Sequence, residues 1–554
     1  MIKLSHNAGD CHLSCFTYGA GHSQEGICLC LNLGIYRILL DCGLEDISPL
    51  ESDAEPPADF VFCSHAHADH ARGLLSLHQA FPELPIYTTE VTRQLLPLNW
   101  QQGSQQSISD FCQSLPWRSP IQLFDDLSIE LFPAGHLPGA AAILLTYTTQ
   151  ERVYRIFYTG DFCLSNLQLV DGLSLNTLRG IAPDVVILEG SYGTARHPHR
   201  RQQEKHLMER IDQALKEGQN VFLPVPTLGL GQEILKLLRS HHKFTGRDVD
   251  IWVGQNVAIA CDTYLEILDQ LPLAVQNFAK HQPLFWDERI SPHLRQLATT
   301  VNLQKKRSPC IVVAGELEDL TSYGLPTSNP WLVLTPQQGT HTLSLNSPSL
   351  INWNDLDHIQ QETYLLADHS DGRNTTQLIH NLRPQHLILF HGSPTYLADL
   401  TSLEELQSRY KLHSPAAGTL VELPIGENFL QPAAPTPSSY EGELNELSTG
   451  IALTLSELIT NDPRWSRFSD TGMVEARWQG EELVLRGISQ RELLRQSHQT
   501  KVTKDLECCK VCSHFRNQRC WNNFSPLYGF KVTSEGYCPV FERKEITQRQ
   551  KKEE

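Results

Sequence analysis

Ser64-His65-Ala66-His67-Ala68-Asp69-His70 places three imidazoles and one carboxylate within six residues. The stretch leaves an apolar run with strand character, Asp59-Phe60-Val61-Phe62-Cys63, so its polar side chains sit on the turn after a strand. Neutral imidazole nitrogen and carboxylate oxygen are the ligands Zn²⁺ takes in catalytic sites that keep one position open for water. His65 and His67 could serve one metal while Asp69 and His70 point to a second. Clustered histidines also decorate surfaces, but four ligand-type residues directly after an apolar strand fit that poorly.

Such a cluster needs further ligands from distant strands, and the chain supplies them in order. Tyr36-Arg37-Ile38-Leu39-Leu40-Asp41-Cys42-Gly43 reads as a strand ending in an acid and a glycine. Phe132-Pro133-Ala134-Gly135-His136 puts a histidine after a glycine turn, and Phe157-Tyr158-Thr159-Gly160-Asp161 ends another strand in Gly-Asp. Alone each is weak, because Gly-Asp turns are common punctuation. Together, in order and rough spacing, they resemble the motifs of the metallo-β-lactamase superfamily. That resemblance implies an α/β fold, a four-layer αββα sandwich with metals at one edge. By the family's pattern His65, His67 and His136 would hold a first zinc. Asp69 and His70 would hold a second, Asp161 would bridge both, and Asp41 would orient a ligating imidazole from behind. Flavodiiron members carry glutamate at the position of His67, so histidine there argues for zinc hydrolysis over iron redox chemistry.

The next region narrows the branch. Val185-Val186-Ile187-Leu188-Glu189 is a buried-strand pattern ending in an acid, followed by Gly190-Ser191-Tyr192-Gly193. Tyr364-Leu365-Leu366-Ala367-Asp368-His369-Ser370-Asp371 precedes a helix, and Leu387-Ile388-Leu389-Phe390-His391-Gly392 is a strand ending in histidine. These look like the three added motifs of the β-CASP nucleases, with Glu189 the first, His369 the second and His391 the third, the last completing the metal set. The resemblance covers about residues 1 to 425. RNA-cutting branches carry histidine at the third motif and the DNA-repair branch typically carries valine, so His391 favours RNA. Three positions depart from the pattern: Leu230 where arginine is usual, Val313-Ala314-Gly315-Glu316 where a Ser-Gly-Gly-Met loop is expected, and Ala367 where serine is usual. All three concern substrate positioning more than metal binding.

With 554 residues the chain can form two or three domains with sizeable cores. The expected organisation is a lactamase-like core over 1–190 and 345–425, interrupted by an α/β cap over 190–345. A Pro/Ala/Ser linker spans 426–440, a small α+β module 440–500 and a cysteine-rich module 505–545. Within 440–500 the pattern suggests a helix around Leu453 to Ile459 and a hairpin, Met473 to Arg477 with Leu483 to Leu485. No apolar run reaches the length of a membrane span and no signal-like start is seen, so the expectation is a cytoplasmic protein with no membrane partner. The net charge of −18 is awkward for a protein that must approach a polyanion, so positive charge must be local. Arg196, Arg200 and Arg201 form one candidate RNA-binding patch. Residues 501–554 form another: eleven Lys and Arg against seven Asp and Glu give +4, leaving −22 for the rest.

Ten of the fifteen cysteines scatter through the nuclease-like part and are expected buried or free. The others gather in the tail, where Cys509, Cys512, Cys520 and Cys538 could hold a structural Zn²⁺ or a [4Fe-4S] cluster, with Cys508 spare. A module of about 40 residues needs such a staple to fold. The combined expectation is a zinc-dependent ribonuclease that hydrolyses single-stranded RNA with two Zn²⁺ in the core. Asp69, Asp161, Glu189 and His369 would be catalytic, His369 as the acid that protonates the leaving oxygen. Endonucleolytic and 5′-exonucleolytic cutting both stay open, as does the oligomeric state. The rivals are a metallo-hydrolase of a small ester or phosphodiester, and a non-catalytic scaffold subunit of an RNA-processing complex.

Overall fold

The computed structural model describes residues 12–22, 25–51, 55–100, 111–287, 289–297, 309–315, 330–337 and 359–426. Farther on it describes 444–447, 450–453, 474–479, 482–487, 509, 512–522, 525, 528, 532 and 542. The chain divides into two compact units, 1–433 and 434–554, taken separately below.

Strands β1 (Leu13–Ala20), β2 (Ile27–Leu33) and β3 (Tyr36–Leu40) form an antiparallel meander. Three short strands then add in parallel: β4 (Phe60–Phe62), β5 (Ile86–Thr88) and β6 (Cys112–Ser114). The second sheet begins with β7 (Ile121–Phe124), β8 (Leu127–Pro133), β9 (Ala141–Thr148) and β10 (Val153–Tyr158), then β11 (Val185–Glu189). The cap follows with β12 (Asn220–Val225), β13 (Asp250–Val253), β14 (His293–Gln296), β15 (Ile311–Gly315), β16 (Trp331–Pro336) and β17 (Ile359–Tyr364). Finally β18 (His386–Phe390) and β19 (Lys411–His413) rejoin the second sheet and β20 (Leu420–Glu422) closes the edge of the first.

The first two sheets pack face to face. Leu29, Leu31, Ile38 and Leu40 of one share an apolar core with Ile143, Ile156, Ile187, Ile388 and Phe390 of the other. Residues one step along the same strands, such as Val186, Leu188, Leu387 and Leu389, turn outward to pack with helices. Period-two alternation with both faces apolar is what a sheet covered on both sides requires, and it explains why β11 and β18 read as unbroken hydrophobic runs. Each fully buried Leu, Ile or Phe contributes about 1.5–3 kcal/mol, so this four-layer αββα sandwich is a firm platform for its loops.

The cap is a six-stranded parallel sheet in the order β14-β13-β15-β12-β16-β17, with helices Arg200–Lys216, Leu230–Ser240 and Gln255–Glu266. Its last strand ends at Tyr364, so the return to the core expected at 345 moves to beyond 364. The pattern hid this strand because β17 lies at the sheet edge, where Gln360 and Gln361 are exposed and Glu362 pairs with Arg210.

In the second unit, strands β21 (Leu444–Leu447), β22 (Gly450–Leu453), β23 (Val474–Gln479) and β24 (Glu482–Gly487) form one antiparallel sheet. The expected hairpin falls on β23 and β24. The helix expected from Leu453 starts on a residue that closes β22, and 454–459 lie outside the described residues, as does the linker beyond 426. Nine of the described cysteines are buried in the first unit. Among the described residues no helix is long and apolar enough to cross a membrane.

Candidate functional site

The strand ends β3, β4, β8, β10, β11 and β18 deliver their polar residues to one edge of the sandwich. Asp41 and His391 both follow a strand with left-handed backbone, φ 59° and 46°. Non-glycine residues rarely adopt that region, and when they do the surrounding fold is holding them there. The turn after Asp41 lies flat against the first cluster: Cys42 N donates to the His70 carbonyl at 2.9 Å, and a side chain at Gly43 would run into the Asp69 carbonyl.

Two donor groups result. His65, His67, His136 and Asp161 form one, and Asp69, His70 and His391 the other, each with its ligand atoms within 4.8 Å of one another; two further sets overlap them, His136 with Asp368 and His369, and Asp161 with His369 and His391. Asp161 lies between them: Oδ2 is 3.3 Å from His70 Nε2 and 3.5 Å from His65 Nε2, and Oδ1 is 3.2 Å from His391 Nδ1. All are buried or nearly so except Asp69, whose side chain is 39% exposed.

The bonds behind these imidazoles set their tautomers. Asp41 accepts from His70 Nδ1 at 2.7 Å, from Ser64 N and Oγ, and from the Tyr158 hydroxyl. Ser64 Oγ, having given its proton to Asp41, accepts from His65 Nδ1 at 3.0 Å. His136 Nδ1 donates to the Asp368 carbonyl at 3.0 Å. Ser191 Oγ donates to Glu189 at 2.7 Å and lies 2.9 Å from His391 Nδ1. With Nδ1 protonated on each of these four rings, Nε2 is the nitrogen turned to the centre. His67 is the exception and turns Nδ1 inward, 3.2 Å from His65 Nε2 and 3.0 Å from His136 Nε2.

Lone pairs that close repel unless a cation lies between them. His70 Nε2 and Asp161 Oδ1 are also buried without a hydrogen-bond partner. The charges agree with that reading at His65, His136 and Asp161. Burial, then the neighbouring His70, holds His65 neutral; burial, then His369, takes His136 down to about 4. Burial works against ionising Asp161, yet His391 and His70 keep its carboxyl well below the usual range. Burial likewise opposes protonating His70 and His391, yet Asp161, with Asp41 or Asp69, lifts both. His65 and His136 already hold the neutral form that binds metal, a cation would displace the protons that the carboxylates favour on His70 and His391, and the donor set fits two divalent cations.

His369 lies at the rim of these groups, its ring centroid 4.5 Å from that of His136. Its Nδ1 donates to Glu189 at 3.2 Å. Burial disfavours its charged form, but Glu189 and then Asp368 outweigh burial and raise it to about 10.

The expected basic patch divides. Arg196 and Arg201 are exposed, whereas Arg200 is buried, which corrects its expected place on an RNA-facing surface. Its guanidinium donates to the Ala367 carbonyl at 2.5 Å and to Glu233 at 3.2 Å, and Glu233 accepts in turn from Gln168 N and Leu169 N. Charge in a sequence does not reveal its own burial. Gln203, one turn farther along the helix, accepts from Ala367 N at 2.8 Å, so both peptide groups of Ala367 are held two residues before His369. The departure at Leu230 lines a narrow crevice with His67, His136, Arg200, Glu233 and Asp368, and Val313–Gly315 end β15. Sequence reasoning missed Ser64, Tyr158, Ser191 and Gln203. Only Ser64, beside His65, and Ser191, two residues after Glu189, carried a signal.

In the tail, Cys512 N donates to the Cys509 carbonyl at 3.0 Å, putting those two on one turn, and Cys520 lies on a hairpin strand. Cys508 and Cys538 lie outside the described residues. Among the described residues the clusters able to hold a metal are those of the core.

A β-lactamase superfamily domain matches residues 36–217. Over 545 residues the chain is 54% identical to the uncharacterized protein sll0514 of Synechocystis sp., covering 96% of this chain and 97% of that one. It is 31% identical over 243 residues to the Probable RNase MJ4 of Methanocaldococcus jannaschii, covering 40% of this chain and 56% of the relative. A further 26% identity over 296 residues links it to the RNase J-like protein of the same organism, covering 50% of this chain and 65% of the relative.

Proposed function

This chain belongs to the metallo-β-lactamase superfamily, in its β-CASP nuclease family, and from that premise we propose that it is a zinc-dependent ribonuclease cutting single-stranded RNA. The observation that carries the reading is the convergence of two donor groups on Asp161, with His369 beside them and braced by Glu189. His65, His67 and His136 would hold one ion, Asp69, His70 and His391 the other, and Asp161 would touch both. Two such ions would lower the pKa of a water between them and offset the charge that builds on phosphorus-bound oxygens.

The remaining work falls to the chain. Asp161, whose Oδ1 has no hydrogen-bond partner, and the partly exposed Asp69 are the carboxylates an attacking water would meet. As the phosphorus–oxygen bond breaks, His369 gives its Nε2 proton to the leaving oxygen. Glu189 occupies Nδ1 throughout and balances the charge of the imidazolium. Arg196 and Arg201, both exposed, would meet the RNA backbone; Arg200 serves inside, fixing Ala367.

End-labelled single-stranded RNA and DNA incubated with the purified chain test the proposal. RNA cut in preference to DNA, with two Zn per core by elemental analysis, is the expected result, and product lengths separate endonucleolytic from 5′-stepwise cutting. Hydrolysis of an activated ester with RNA untouched would favour the small-ester reading. Inertness toward both would favour a scaffold.

A further inference from the structure

One imidazole of the centre has no brace behind it, and the cap offers a place for one. His67 turns Nδ1 toward His65 and His136, which leaves Nε2 on the far side of its ring. That nitrogen is buried and has no hydrogen-bond partner among the described residues. If Nδ1 holds an ion, the ring's proton sits on Nε2, and a buried N–H without an acceptor is costly.

His67 borders the narrow crevice between core and cap. Gly229, at the turn into helix Leu230–Ser240, comes up to it with bare backbone at φ 87°. A Cβ there would stand 3.5 Å from His67 Nε2 and 3.1 Å from a Leu137 methyl. On the cap side the Gly229 amide faces the oxygen of Tyr264, a residue of helix Gln255–Glu266. Tyr264 is wholly buried, and burial first of all keeps its hydroxyl protonated. By geometry that hydroxyl has no hydrogen-bond partner among the described residues either.

The crevice holds about 10 Å³ of free space, room for one water and nothing larger. Voids of that size stay dry when their lining is apolar. Pro138, Leu167, Val170 and Leu230 are apolar here, but His67, Tyr264, Glu233 and Asp368 share the lining. Glu233 already accepts three bonds, from Arg200, Gln168 N and Leu169 N, of the roughly four a carboxylate can take. Two donors lacking acceptors and two carboxylates make up the set of partners that a buried water satisfies.

We propose that one water in this crevice braces His67, accepting from its Nε2 and from the Tyr264 hydroxyl and donating to Asp368 and Glu233. Tyr264 is then a positioning residue, a cap side chain that fixes a metal ligand of the core without touching metal or RNA. The inference deepens the proposed function and rests on its assignment of His67 as a zinc ligand.

A crystal structure of the zinc-loaded full chain, at a resolution that shows waters, tests the site directly. One water within about 3.2 Å of both His67 Nε2 and Tyr264 Oη is the expected result. A dry crevice, or His67 Nε2 bonded straight to protein, would overturn the proposal. Tyr264→Phe removes the hydroxyl and keeps the ring that packs the cap. In competition with a chelator, that variant should give up one zinc about tenfold more readily and hold the other as the parent does. RNA cleavage should fall at limiting zinc and recover in excess zinc with KM unchanged, which a merely mispacked cap would not do. Zinc affinities within twofold of the parent at both sites, or equal weakening of both, would overturn the role of Tyr264. Should the variant fail to fold, the crystal structure decides alone. Zinc bound and His67 braced in this way, with RNA never cut, would sink the ribonuclease reading and spare this one. Cleavage by a zinc-loaded chain whose crevice is dry would do the reverse.

Discussion

The core edge and the cysteine-rich tail both offer metal-binding side chains, but they stand in opposite relations to folding. In the core the donors sit on the ends of strands that apolar burial already fixes, and each imidazole but His67 is braced from behind, by Asp41, Ser64, Ser191 or the Asp368 carbonyl. Metal there would be added to a site the fold already fixes. In the tail the hairpin is two residues a side, and Cys512 and Val532 are the buried hydrophobic residues described there. A metal in the tail would have to make the fold that holds it. Breaking ligands in the two places should therefore fail differently.

The largest effect on activity is expected from Asp69→Ala. It removes a carboxylate from the second donor group and the partner that His391 Nε2 meets at 3.2 Å. RNA cleavage should fall to background and elemental analysis should show zinc lost, while the melting temperature moves little because Asp69 is partly exposed. A protein that unfolds instead would mean the core, like the tail, needs its metal to fold.

His369→Ala comes next. It lies outside the two donor groups proposed to hold metal, so zinc content should stay at two while cleavage drops roughly 10²-fold or more, the scale of a lost general acid. Zinc lost along with activity would make His369 a ligand. A smaller effect, about tenfold in kcat with KM unchanged, is expected from Gln203→Leu, which frees Ala367 N and loosens the peptide that carries His369. A change in KM alone would place Gln203 in RNA binding and not in positioning.

These residues also mark what could be read in advance. The candidate donors were legible because four lie within six residues and the others, each weak alone, match the superfamily's motifs in order and rough spacing. The braces were not. Tyr158 reaches Asp41 across 117 positions and Gln203 reaches Ala367 across 164, and nothing local in either distinguishes it from an ordinary polar residue. Arg200 was misplaced for the converse reason: its neighbours His199 and Arg201 are exposed, and only the fold turns it inward. The cap boundary slipped because an edge strand needs few apolar residues. Long-range partners and burial are properties of the assembled sheets.

The smallest effect on the core, and the sharpest test of the contrast, is expected from Cys520→Ser. Cys520 pairs with Phe515 and bridges to Tyr528, so it ties the hairpin to the rest of the module. Were Cys509, Cys512, Cys520 and Cys538 to share a metal, losing one thiolate would remove the centre and with it most of the module's stability. The parent chain should then show either a third zinc or the visible charge-transfer band of thiolate-bound iron, and the variant should show neither. Near-ultraviolet circular dichroism from the module's aromatic residues should collapse while two core zincs remain. Cleavage of an RNA too short to leave the core site should stay within about twofold of the parent, since the braces around the core donors all come from residues before 392. A parent chain with two metals and no visible band would mean the tail thiols hold no metal. A variant that loses core zinc would show the two regions to be one folding unit, and the contrast drawn above would fail.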